Sequence, residues 1–225
     1  MIDFITLIDK LISIIILMKL LVFFLMILIL LGCTKPVFKS DWIDKTAPES
    51  FVTRFETSKG SFDILLNKKE SPKAVDRYYQ LVKHHFFDNG IFYRVDSNFV
   101  VQFGISDTIK LNYWRKYKVP DEKVIKGNTK GSISFAISGK ETRGTDLFIN
   151  LKDNSKLDTI NYAGVTGFPS FGYVIRGMEV VESIYAGYGD NVFTKFDTLY
   201  LNPTHFLEIF PKLDVIQKAY ILQTQ

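Results

Sequence analysis

The sequence predicts a mainly β domain, an antiparallel sheet closed on itself with helices over its open ends, behind an apolar N-terminal segment. Three observations predict this. Residues 51–66 alternate between two faces about a Gly-bearing turn, the pattern of a hairpin. Short apolar runs follow near 91–95, 98–103, 132–137, 146–151 and 168–174, separated by Gly-rich and polar loops. Two main amphipathic helical stretches accompany these strands.

In the hairpin, Phe51, Thr53, Phe55 and Thr57 share one face, and Val52, Arg54 and Glu56 the other. Ser58-Lys59-Gly60 turns the chain into residues 61–66. Ser71-Pro72 opens a helix, with Ser as N-cap and Pro at the first helical position. Its apolar face is Val75, Tyr78, Tyr79 and Val82, at i, i+3, i+4 and i+7. Asp88-Asn89-Gly90 is a turn. Gly177 leads into a second short helix with Met178, Val181 and Ile184 as its stripe. Asn202-Pro203 starts another, and residues 215–222 read as the closing strand. The aromatic residues Phe193, Phe196, Tyr200, Phe206 and Phe210 indicate that 188–214 packs onto the sheet, although the segment also suits a partner surface.

Composition excludes some functions. The 225 residues are 47% hydrophobic and 23% charged, which suits one folded domain plus an apolar segment. The net charge of +4 is spread out, with no Lys/Arg run interleaved with aromatics, so nucleic-acid binding is not expected. His84-His85 point different ways from a helix and have no acidic or Cys partner at ligand spacing. They read as solvated helix-end residues, and no metal is expected.

Residues 11–31 carry one charge, Lys19, and about 20 apolar residues suffice to span a bilayer. The run ends in Leu30-Leu31-Gly32-Cys33, however, which resembles the lipobox of bacterial lipoproteins. That resemblance implies cleavage before Cys33 and lipidation of it. Met18-Lys19 followed by the apolar run 20–31 forms a compact signal peptide, so Met18 is a better start than Met1. The expected organisation is a signal segment at 1–33, a polar tether at 34–50 with Pro36 and Pro48, and a domain at 51–225 enlarged at 188–214. The expected location is the bacterial cell envelope, lipid-anchored in the outer membrane and facing the periplasm because Thr34 rather than Asp follows Cys33, with a Gram-positive cell surface as the alternative.

Specific motifs begin at Phe92. Phe92-Tyr93-Arg94-Val95 precedes Phe99-Val100-Val101-Gln102-Phe103-Gly104. Then come Val119-Pro120-Asp121-Glu122, Gly131-Ser132-Ile133-Ser134-Phe135-Ala136 and Thr142-Arg143-Gly144-Thr145-Asp146-Leu147-Phe148-Ile149-Asn150. Leu157-Asp158, Phe171-Gly172-Tyr173-Val174 and Gly177-Met178 complete the series. In order and spacing, residues 51–186 resemble the cyclophilin-type peptidyl-prolyl cis/trans isomerases.

The resemblance implies a closed eight-stranded antiparallel barrel capped by two helices, with its groove on the outer surface. It implies Arg94, Phe99 and Gln102 as catalytic residues. Val100, Ala136, Ile137, Asp146, Phe148, Leu157 and Phe168 are implied as substrate-binding, with the backbone at Ala136 and Ile137 pairing with the peptide. Gly131 and Gly144 fit tight backbone points. The implied substrates are proline-containing polypeptides, handled by a monomer without cofactor. The alternative is a catalytically weak peptide-binding or chaperone module on the same fold.

Three positions depart from the family pattern. Tyr93 stands where many members have His or Phe. Asp146 stands where many have Gln, changing groove charge and offering a partner to Arg94 or Arg143. Lys156 stands where better-known eukaryotic members have a Trp that contributes to cyclosporin binding, so weak cyclosporin sensitivity is expected.

Overall fold

The computed structural model describes residues 3–30 and 36–224. The chain divides into two units, Met1–Pro36 and Val37–Gln225. Among the described residues, the first contains one helix, α1 (Asp3–Leu30). Among the described residues, no helix is long and apolar enough to cross a membrane. Cys33 lies outside the described residues, as do Leu31 and Gly32.

The second unit opens with a 3-10 turn, Ser40–Asp44, and the hairpin β1 (Ser50–Thr57) and β2 (Gly60–Asn67). Next come α2 (Pro72–Lys83), β3 (Ile91–Val95), β4 (Val100–Ile105) and α3 (Thr108–Trp114). β5 (Ser132–Phe135), β6 (Leu147–Asn150) and α4 (Lys156–Thr159) follow, then the small pair β7 (Asn161–Tyr162) and β8 (Val165–Thr166). β9 (Ser170–Arg176) and α5 (Met178–Glu182) precede a second 3-10 segment, Gly189–Lys195. Finally, α6 (Phe196–Leu201) and α7 (Pro203–Ile209) lead to β10 (Ile216–Thr224).

Eight strands form one antiparallel sheet in the order β10-β1-β2-β9-β5-β6-β4-β3. The sheet is open, which corrects the expectation of a closed barrel. Its edge strands do approach: Ile91 and Val215 make an isolated bridge, Phe92 N–H donates to Asp214 O at 3.0 Å, and Ile216 N–H to Gly90 O at 2.7 Å. This is one point of contact rather than a ladder, at the start of the five-residue strand β3.

Period-2 alternation assigns the faces. On β5, Ile133 and Phe135 enter the main core while Ser132 and Ser134 point the other way. On β4, Val101 and Phe103 go inward, and Val100 and Gln102 outward. The core is ring-rich: Phe55 stacks on Phe62 at 5.1 Å and meets Phe103 at 5.6 Å, and all three are fully buried. Each buried ring of this kind contributes about 1.5–3 kcal/mol. Helix α2 adds Ala74, Val75, Tyr78 and Leu81 to that core, and Val181 of α5 joins them.

Several local expectations need correction. Ser71 is the N-cap of α2, but its side chain does not cap. The Glu122 carboxylate does so from a distant loop, accepting from Lys73 N–H at 2.8 Å and Ala74 N–H at 3.2 Å, and from the Ser71 hydroxyl. Residues 38–45 of the segment expected as a tether are docked on the domain. Phe38, Trp42 and Ile43 pack on the core, and Gln80 of α2 donates to Ile43 O and Lys45 O, both at 2.8 Å. His84 is half-buried rather than solvated, stacking on Trp42 at 3.7 Å with an interplanar angle of 2°. Burial pushes its pKa down to about 4. Helix α3 was not anticipated; Asp107 caps it by accepting from Lys110 N–H at 2.9 Å, and Leu111 and Trp114 bury its inner side.

Candidate active site

The register of four strands builds the site. Arg94 on β3 sits opposite Gln102 on β4, Gln102 opposite Phe148 on β6, and Phe148 opposite Ser134 on β5. Directly opposed residues share a face, so these side chains form one row across the outer surface. Two bulges shape its end, where Tyr93 and Gly104 are extra residues in the β3–β4 ladder. Gly104 has φ 131°, and a Cβ there would lie 2.2 Å from Thr145 O, so only glycine fits. Such bulges re-aim neighbouring side chains.

The Arg94 Nη1 group donates to Gln102 Oε1 at 3.1 Å, and its Nε donates to Asp190 Oδ1 at 2.7 Å. Next to this row lies a second apolar cluster, separate from the main core. Val100, Phe148 and Leu157 are its buried members, and Phe99, Ala136 and Phe168 pack against them. Phe148 meets Phe168 edge-on at 5.8 Å. Outward-facing apolar side chains that make their own cluster are not needed to close the core, and they leave a hydrophobic surface for a ligand.

A buried polar network fixes the rim of this cluster. Asn150 Nδ2 donates to Asn128 Oδ1 at 3.1 Å, and Ser134 Oγ to the same atom at 3.0 Å. Asn128 Nδ2 donates to Phe168 O and to Asp158 Oδ1, both at 2.8 Å. Asn154 Nδ2 donates to Phe99 O at 2.9 Å and to Asn150 Oδ1 at 2.7 Å. The two loops carrying Phe99 and Phe168 are thus tied through Asn154 and Asn128 to Asn150 of β6, the strand that carries Phe148.

The whole forms a groove of ≈ 840 Å³ whose lining includes Arg94, Phe99, Gln102, Asp146, Phe148 and Phe193. Every site residue expected from the sequence, Cys33 excepted, is in that lining. Ala136 and Ile137 differ in one respect: β5 ends at Phe135, and Ala136 gives its N–H to Asp146 O at 2.9 Å, so both line the groove from a loop. Asp146 pairs with neither arginine. It accepts from the Tyr93 hydroxyl at 3.2 Å, Arg94 goes to Asp190, and the buried Arg143 goes to Glu122 at 3.0 Å and to Pro120 O. Burial pushes the Asp146 carboxyl up to about 6, and burial with the adjacent Asp146 pushes the Tyr93 phenol well above its ordinary range. Gly131 has φ 82°, a glycine conformation, but a Cβ at Gly144 would meet nothing closer than Lys118 Nζ at 3.5 Å.

Comparison with known proteins decides what this groove belongs to. The family described as cyclophilin type peptidyl-prolyl cis-trans isomerase/CLD matches residues 52–199. The chain belongs to the cyclophilin-type peptidyl-prolyl cis-trans isomerase family. Among curated relatives, a peptidyl-prolyl cis-trans isomerase of Arabidopsis thaliana is 30% identical over 140 residues, covering 60% of this chain and 81% of that one. Peptidyl-prolyl cis-trans isomerase A of Dickeya dadantii is 31% identical over 138 residues, covering 60% and 72%. A Cryptosporidium parvum cyclophilin type peptidyl-prolyl cis-trans isomerase superposes with TM-score 0.54 at 21% identity, over 78% of this chain and 99% of that one. Its structure in the presence of the dipeptide Ala-Pro gives the same TM-score at 20% identity, over 77% and 99%.

Sequence reasoning missed five contributors to this cyclophilin groove. Asn128, Asn150 and Asn154 hold its loops; the signal for Asn150 was a polar residue at the end of the otherwise apolar strand β6, while Asn128 and Asn154 lie in loops and gave none. Asp190 and Phe193 belong to the segment expected only to pack or to bind a partner, and nothing in the sequence placed them on Arg94.

Proposed function

We propose that this cyclophilin accelerates rotation about X-Pro peptide bonds, with Arg94, Gln102 and Phe99 acting on a proline seated against Val100, Phe148, Leu157 and Phe168. One observation carries the reading: an arginine held at two nitrogens stands beside an outward-facing apolar pocket that the fold does not need. The barrier to rotation is about 18–20 kcal/mol, and no covalent bond changes. At the twisted state the prolyl nitrogen loses conjugation and gains a lone pair. A guanidinium is always protonated and rich in N–H donors, so it can stabilise that lone pair and hold the carbonyl oxygen. A rate gain of about 10⁵ requires about 7 kcal/mol of binding that appears only in the transition state. Preorganised donors in a groove shielded from water are the usual source of such a term.

The test is exchange of a short X-Pro peptide followed by NMR, with Arg94→Ala alongside wild type. The reading holds if wild type accelerates exchange and the folded variant loses most of that acceleration. Binding of the peptide by both without acceleration favours the chaperone-like alternative, for which the acidic Asp146 in the groove is the observation.

The proposal extends to location. The motif Leu30-Leu31-Gly32-Cys33 supports a lipid anchor at Cys33, assistance to envelope proteins, and placement on the periplasmic side of an outer membrane. Two or three acyl chains anchor a protein stably where one does not. Intact mass of the mature chain tests this: an N-terminal acylated Cys33 is expected, and a mature chain retaining residues 18–32 refutes it.

A further inference from the structure

Arg94 is gripped by a part of the chain outside the sheet. The 3-10 segment Gly189–Lys195 brings the Asp190 carboxylate to Arg94 Nε at 2.7 Å, with the Arg94 side chain 13% exposed and that of Asp190 68%. Phe193 of the same segment lies 5.2 Å from the guanidinium carbon, and Phe99 lies 5.8 Å from it. Both are within the range of attraction between a cation and a ring. The segment is packed. Val192 is fully buried, Phe193 meets Phe196 at 5.2 Å, and Phe196 meets Tyr200 at 5.0 Å. Phe196 also meets Tyr93 at 5.8 Å, and Tyr93 is the bulged residue just before Arg94. The clamp and the arginine are therefore anchored to the same stretch of β3.

The atoms used separate a support from a plug. A carboxylate that plugs a guanidinium takes two nitrogens of one edge in parallel bonds, as Asp63 takes Nε and Nη2 of Arg54. Asp190 takes Nε, the nitrogen on the stem side, and Gln102 takes Nη1. Neither contact uses Nη2, and Arg94 still lines the open groove. Two acceptors at different nitrogens fix the plane of a side chain whose rotamer freedom substrate would otherwise have to freeze.

We propose that Asp190, aided by Phe193, is a positioning residue for this isomerase: it sets the orientation of the Arg94 guanidinium before substrate arrives. The proposal rests on the isomerase reading of the groove, and its test separates the two. Wild type, Asp190→Ala and Asp190→Asn are compared in the X-Pro exchange assay, while ¹⁵N NMR follows the Arg94 Nε–H. Asp190→Ala is expected to lower kcat about tenfold with KM changed less than about twofold. It is also expected to bring the Arg94 Nε–H into fast exchange with water. Asp190→Asn keeps an oxygen acceptor at the same place and is expected to recover most of both effects. Activity of Asp190→Ala at or above wild type overturns the proposal and makes Asp190 a plug. Equal losses in both variants overturn it too, because charge rather than orientation then matters. An inactive wild type sinks the isomerase reading, and the Nε–H comparison still decides the clamp: equally fast exchange in wild type and Asp190→Ala overturns it.

Discussion

Asp146→Asn isolates the acid placed in this groove. The carboxyl lies among Tyr93, Tyr200 and Lys118, and burial moves it from 3.8 to about 6. At 1.36 kcal/mol per pH unit, that displacement corresponds to about 3 kcal/mol. The folded pKa is raised, so the folded protein holds this proton more tightly than the unfolded chain does. Below about pH 4 both states are protonated and Asp146 costs nothing. As pH rises toward about 6 the unfolded chain ionises first, stability falls, and above that pH the full penalty of about 3 kcal/mol is present. Asparagine has the same shape, still accepts from the Tyr93 hydroxyl, and does not titrate. The variant is therefore expected to match wild type near pH 4 and to exceed it by up to about 3 kcal/mol at pH 7.5. Urea unfolding read by the emission of Trp42 and Trp114, repeated from pH 4 to 8, measures the difference. A stability gap that stays flat across this range refutes the reasoning.

Three further outcomes follow from other contacts. Glu122→Ala removes the acceptor for Ser71, Lys73 and Ala74 and strands Arg143, which is 1% exposed; breaking such a pair costs about 3–5 kcal/mol. A loss under about 1 kcal/mol by urea unfolding would mean that water or another acceptor replaces the carboxylate. Trp42→Ala opens the face of His84, so the imidazole, held down at about 4 by burial, is expected to titrate closer to its usual 6.5 by NMR. An unchanged midpoint assigns the burial to other neighbours. Lys156 is exposed beside the buried Leu157. Wild type is expected to be weakly inhibited by cyclosporin and Lys156→Trp more strongly, and submicromolar inhibition of wild type would count against the assignment.

What the sequence made legible follows from the range of each interaction. Alternation in 51–66 and the i, i+3, i+4, i+7 stripe of 72–82 are local, so the hairpin and α2 could be read residue by residue. Arg94 and Gln102 were legible through motif resemblance, and strand register then explains why they meet. The cap of α2 was misread because Ser71 has the right chemistry in the right place, yet a carboxylate 51 residues away outcompetes it. The packing of residues 38–45 was not foreseen for a similar reason. Polar composition masks Phe38, Trp42 and Ile43, three anchors sufficient to dock a short stretch against α2 and α3. Sheet closure depends on the few residues at which β3 and β10 meet, and strand counts carry no information on that.

The layout of the groove has a common physical cause. Once Phe103, Ile133, Phe135 and Ile149 are drawn inward, alternation forces Gln102, Ser134, Phe148 and Asn150 outward. Buried asparagines there satisfy one another and the carbonyls of Phe99 and Phe168, which removes the cost of unpaired polar groups and stiffens the loops at once. Arg94 lies at the open end of this arrangement, on the edge strand β3, where among the described residues no ninth strand supplies a neighbour. An edge strand leaves one side of its residues unsupported, and a long cationic side chain there would sample many rotamers. The segment from 189 to 201 stands where that missing neighbour would be, contributing Asp190 and Phe193 to Arg94 and Phe196 to Tyr93. In this chain the openness of the sheet and the clamp on the arginine are two consequences of the same short edge strand.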